Sequence, residues 1–107
     1  MTPGERVCHT CRVAADHPAF AGHFPGRPVL PGVVLLAEVL EVVRAEPALR
    51  AAIGPLPVLS MAKFLAPVGP ASTLEIVLQP GPRGLAFEVC CSGLPVARGQ
   101  FALAEGG

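Results

Sequence analysis

From Thr73 to Gln79 the apolar residues Leu74, Ile76 and Leu78 alternate with Thr73, Glu75, Val77 and Gln79. From Leu85 to Val89 the apolar Leu85, Phe87 and Val89 alternate with Ala86 and Glu88. Such a period of two places one strongly apolar face on each segment and predicts strands. Strand-like runs also cover Val58 to Leu65 and Val96 to Leu103, and Arg6 to Ala14 is a further candidate with Val7, His9, Cys11 and Val13 on one face. The turn signals PVGPAS, PGPRG and SGLP separate the last four strands, so they are expected to run antiparallel. Gly32 to Arg44 (GVVLLAEVLEVVR) breaks this pattern: it is long, free of proline and apolar around most of its circumference, which predicts a helix wrapped by other structure. Ala45-Glu46-Pro47 reads as its stop, with a Pro/Gly-rich connection beyond. The expected architecture is α+β, one long central helix wrapped by a curled antiparallel sheet of about five strands.

A chain of 107 residues is expected to form a single domain over 1–107. Apolar residues make up 51% and charged residues 15%, so a lone copy would expose apolar patches, and a homodimer or higher homo-oligomer is expected. Eight basic and eight acidic residues cancel, with no cationic cluster, which argues against nucleic acid or a membrane surface as partner. No segment reads as a signal peptide or a bilayer span, so a cytoplasmic location is expected. In that setting Cys8, Cys11, Cys90 and Cys91 read as free thiols, and adjacent Cys90 and Cys91 suit a zinc site poorly, so no metal is expected.

The chemistry-bearing stretch is GHFPGRPVLPGVV, Gly22 to Val34, which ends a segment whose prolines allow neither helix nor central strand. His23-Phe24-Pro25-Gly26-Arg27-Pro28-Val29-Leu30-Pro31-Gly32-Val33 resembles the signature of the 3-hydroxyacyl-[acyl-carrier-protein] dehydratases of the hot-dog superfamily, and Lys63-Phe64-Leu65-Ala66-Pro67-Val68-Gly69-Pro70 resembles a second stretch of that family. The lead-in from His17 looks most like the shorter dehydratase-like members. The resemblance implies a hot-dog fold, no cofactor, acyl carrier protein as partner, and dehydration of a 3-hydroxyacyl thioester to the trans-2-enoyl thioester in fatty-acid or related lipid or polyene biosynthesis. That reaction needs a base for the C2 proton, an acid for the leaving hydroxyl, and positive potential at the thioester oxygen. By resemblance His23 is the base, and Phe24, Pro31 and Val33 contact substrate. Gly32 opens the helix, where free N–H groups and the helix dipole suit an oxygen that carries developing charge.

The pattern departs from the family at its acid. The family's Glu or Asp falls on Ala37 here, and Glu38 is one residue late, rotated by about 100°. Glu41 lies one turn beyond Ala37 on nearly the same face, and helical side chains lean toward the N-terminus, so Glu41 is a candidate replacement acid; the resemblance, through the family's dimeric sites, implies that it faces His23 of a partner subunit. Two readings of Glu41 stand side by side, since Glu38, Glu41 and Arg44 also form a polar stripe in which Glu41 pairs with Arg44. Two alternatives to the dehydratase follow: a non-catalytic hot-dog subunit that binds acyl carrier protein, and an acyl thioesterase on the same fold.

Overall fold

The computed structural model describes residues 6–14, 16 and 30–104. The elements run β1 (Val7–Arg12), α1 (Gly32–Ala45), α2 (Pro47–Ile53), β2 (Leu59–Phe64), β3 (Thr73–Gly81), β4 (Gly84–Cys91) and β5 (Leu94–Phe101). The five strands form one antiparallel sheet in the order β1-β3-β4-β5-β2. The alternation in β3 and β4 has the expected result. Ile76 stands opposite Val89 and Leu78 opposite Phe87, and all four are buried on one face of the sheet.

Strand boundaries shift where turns are tighter than the sequence suggested. Ser92 and Gly93 both adopt positive φ, at 52° and 79°, so the β4–β5 hairpin turns on two residues and Cys91 already pairs with Leu94. The strand expected from Val96 therefore begins at Leu94. The neighbour of β2 was not legible from chain order: β2 pairs with β5 at one edge of the sheet, while β1 pairs with β3 at the other.

The helical layer differs from the expectation of one long helix. Pro47 ends α1 but also opens α2, with Glu46 extended between the two. Proline fits a first helical turn because its missing N–H would have no partner there and its φ is already suitable. Among the described residues α1 is covered on one face only. Leu35, Val39, Val42 and Val43 join the core with Leu49 and Ile53 of α2 and the inner face of the sheet, while Val33, Ala37, Glu41 and Arg44 form an exposed stripe.

Edge strand β2 is unusually apolar for its position. Leu59, Met61 and Phe64 on it, and Leu56, Val58 and Leu65 beside it, are all exposed. At the opposite edge β1 shows His9, Thr10 and Arg12. All four cysteines are free thiols. Cys11, half-buried between β1 and α1, donates to Glu38 Oε2 at 3.3 Å. Burial, followed by this carboxylate, pushes the Cys11 thiol up to about 11.

Gly99 on β5 leaves room for its neighbours in the sheet: a Cβ there would fall on the ring of Phe87 on β4 and on the carbonyl oxygen of Met61 on β2. Gly99→Ala is expected to cost about 1–3 kcal/mol, the usual range for overpacking, measured as a lower midpoint in urea unfolding. For the thiols, a two-unit difference in pKa leaves Cys11 with about a hundredfold less thiolate than an ordinary cysteine near pH 8. Cys11 should therefore react with iodoacetamide much more slowly than exposed Cys8, with its reactivity rising only as the pH nears 11. Glu38→Gln should speed alkylation several-fold, read peptide by peptide in a mass spectrometer, because it removes the charge but not the burial.

Candidate active site

The start of α1 is built from residues that supply no side-chain cap to its amides. Pro31 is the N-cap, in an extended conformation, and offers no side-chain hydrogen bond. Its carbonyl accepts from Val34 N at 3.0 Å and Leu35 N at 3.2 Å. Among the described residues nothing accepts the N–H of Gly32 or Val33, and no acidic residue lies in the first turn. These two amides sit at the positive end of the helix dipole.

The second motif reaches this helix start from the far side of the fold. Phe64 closes β2 opposite Ala97 of β5. Beyond it the Val96 carbonyl accepts from Leu65 N at 2.8 Å and from Ala66 N at 3.4 Å. The Val68 carbonyl then accepts from Leu30 N at 2.8 Å. Residues 64–68 thus form a strap, fixed to the sheet at one end and to the approach of α1 at the other. Between strap and helix lies an open groove of about 640 Å³, lined by Leu30–Val33, Leu35, Leu36 and the strap. Among the described residues no lining side chain carries a polar group, so the hydrogen-bonding capacity that they give the wall is all backbone. Such a surface can hold an acyl chain and offer N–H groups to one oxygen.

Of the residues singled out in the sequence, Pro31, Gly32 and Val33 line this groove, Val33 being 76% exposed. His23 and Phe24 lie outside the described residues. Glu41 lies on the exposed stripe with Ala37, about 13 Å along the helix axis from Gly32 at 1.5 Å per residue. Its Oε1 is 3.7 Å from Arg44 Nη1, and its side chain is 71% exposed. Glu38 turns to another side, toward Cys11 on β1. Sequence reasoning quoted the strap as a motif but assigned it no site residue. What brings Phe64, Leu65 and Val68 to the groove is long-range pairing with β5 and Leu30, which no local pattern encodes.

With this geometry in place, comparison with known proteins is informative. A 3-hydroxyacyl-[acyl-carrier-protein] dehydratase FabZ from Desulforamulus reducens is 35% identical over 83 residues, which cover 74% of this chain and 58% of the relative. The FabZ of Syntrophotalea carbinolica is 31% identical over 84 residues, covering 74% and 57%. The chain thus spans less than two thirds of the length of these curated relatives. Among solved structures, the dehydratase heterocomplex ApeI:P from Xenorhabdus doucetiae aligns with a TM-score of 0.75 at 22% identity, covering 95% of this chain and 89% of that one. This likeness shows that the fold expected from the motifs, the hot-dog fold, is the one adopted. The family model of the ApeI-like proteins, described as ApeI dehydratase, matches residues 2–100, and the chain belongs to that family.

Proposed function

We propose that this protein dehydrates a 3-hydroxyacyl thioester, carried on acyl carrier protein, to the trans-2-enoyl thioester, in fatty-acid or related lipid or polyene biosynthesis. The observation that carries the reading is the convergence of the two dehydratase-like motifs on one groove, an apolar channel with unclaimed amides at its wall. The acyl chain lies along Leu30, Leu35, Leu36 and Val68, with Pro31 and Val33 beside the pantetheine end, and Phe24 is a further substrate contact on the strength of the motif alone. The thioester oxygen accepts from the Gly32 N–H, which stabilises the enolate charge that develops when the C2 proton leaves. His23 takes that proton, histidine being the side chain whose charge changes most readily around working pH. Glu41 protonates the departing hydroxyl across a subunit boundary.

The same reading makes the active form a cytoplasmic homodimer. Leu59, Met61 and Phe64 on an edge strand with free hydrogen-bonding groups favour pairing with a second copy, and the exposed stripe of α1 would be enclosed by it. Both helices would then lie inside a wrapped sheet, which one copy alone does not achieve.

A second reading has its own support. Glu41 is held near Arg44 on an exposed face, and the family's acid position is Ala37, an arrangement that also suits a subunit that binds an acyl carrier without turning its cargo over. An acyl thioesterase has no observation in its favour beyond the fold.

Mass spectrometry of 3-hydroxyacyl carrier proteins after incubation separates the three: enoyl thioester for the dehydratase, unchanged thioester with binding for the carrier subunit, free acid for the thioesterase. For the dehydratase, His23→Ala should lower kcat by about 10²–10⁴-fold, the usual contribution of a positioned acid or base, and Glu41→Gln by a comparable factor. An unchanged rate in Glu41→Gln alongside a dead His23→Ala would remove Glu41 from the mechanism. In analytical ultracentrifugation the protein should sediment at twice its chain mass of 11.0 kDa, and Leu59→Lys should shift it toward the monomer.

A further inference from the structure

Gly32 and Phe64 make a contact that neither the motif nor the helix start explains. A Cβ built on Gly32 would lie 2.7 Å from Phe64 Cζ, 3.0 Å from Cε1 and 3.1 Å from Cε2. All three are atoms of the ring tip, so the ring meets the first helical residue end-on, and its nearest neighbours at that point are this one side chain. The ring is nonetheless 53% exposed, its open side contributing to the groove wall. Its backbone cannot drift: Phe64 pairs with Ala97, and the next two amides are bound to Val96.

We propose that Phe64 is a specificity-determining residue: the tip of its ring limits the bulk permitted beside the thioester carbonyl, so straight-chain acyl thioesters are accepted and 2-methyl-branched ones are excluded. The proposal rests on the dehydratase reading for the position of the carbonyl. An oxygen hydrogen-bonded to the Gly32 N–H places the carbonyl carbon, and with it C2, next to the residue on which the ring is seated. A substituent on C2 then competes with the ring for the same space. Of the other lining residues, Leu30, Leu35 and Val68 are buried and form the floor, where they meet the chain instead of the reacting end, while Leu65, Ala66 and Pro67 continue the exposed strap beyond the ring. Glycine at position 32 is required on this account for the ring as much as for the oxygen. A methyl group there would push the half-exposed ring outward across the groove.

The test compares the wild type with Phe64→Ala and Phe64→Leu, each as the intact protein in its native assembly. Straight-chain and 2-methyl-branched 3-hydroxyacyl pantetheine thioesters are measured for kcat/KM, and the corresponding unreactive amides for Kd. Rejection of one methyl group by an apolar wall is worth about 10–200-fold. Phe64→Ala should therefore lower the straight-to-branched preference by tenfold or more, and Phe64→Leu by less. The preference should move in binding as well as in turnover. If no thioester is turned over but the binding preference moves, the dehydratase reading falls and the role of Phe64 stands. A preference that stays within twofold in the folded Phe64→Ala protein overturns the proposal, as does an equal loss for both ligands, which would mark Phe64 as a packing residue only. A thermal-melting cycle checks the contact without any substrate: Gly32→Ala and Phe64→Ala should be non-additive, the double variant melting higher than the sum of single losses. Additive losses would show that the ring and Gly32 do not restrain one another, and that also overturns it.

Discussion

The structure depends on the burial of one face of α1 against one face of the sheet. Leu35, Val39, Val42 and Val43 enter the same core cluster as Leu74, Ile76, Leu78, Leu85 and Val89, with no polar side chain buried among them. Burial of this kind has no direction of its own, so it fixes the helix only through shape. Once seated, the helix begins at Gly32, with Pro31 as its N-cap. The strap is held to the sheet through Val96 and to the approach of α1 through Leu30, whose N–H is bonded to the Val68 carbonyl. The groove is therefore the gap left between a helix start and a strap that are tied together at one end only.

That origin explains its chemistry. A gap between a helix start and a strap of Phe, Leu, Ala, Pro and Val inherits apolar side chains from the core on either side. Among the described residues the polar contribution comes from the backbone, the N–H groups of Gly32 and Val33 included. The proposed dehydration also needs a proton acceptor and a proton donor, the parts that proposal gives to His23 and Glu41. Val33, Ala37 and Glu41 form an exposed stripe that runs from the groove along α1.

How much of this could be read in the sequence varies with the range of the interaction. The alternation in β3 and β4, and the long apolar run of α1, are local patterns with direct physical meaning, and they translate into the observed elements. Pro47 was ambiguous because the same missing N–H that ends one helix suits the first turn of the next. Ser92-Gly93 was read as part of a longer turn because a sequence does not state which residues will take positive φ. The place of β2 beside β5, and with it the meeting of Phe64 and Gly32, is a matter of tertiary pairing across more than thirty positions. The candidate acid shows a different limit: helix periodicity places Glu41 and Ala37 on one stripe, but which partner the carboxylate takes depends on its surroundings, and among the described residues that is Arg44, one turn along the same helix.

The backbone polarity of the described groove wall has a bearing on how such a protein can change over evolutionary time. A backbone N–H is present whatever side chain stands at its position, proline excepted. At Gly32 the limit is steric instead, because a Cβ there would meet the Phe64 ring. The other described side chains of the wall are apolar, so they can exchange size and shape without disturbing a hydrogen bond of their own. A groove made this way keeps its amides by construction and leaves its contour to selection.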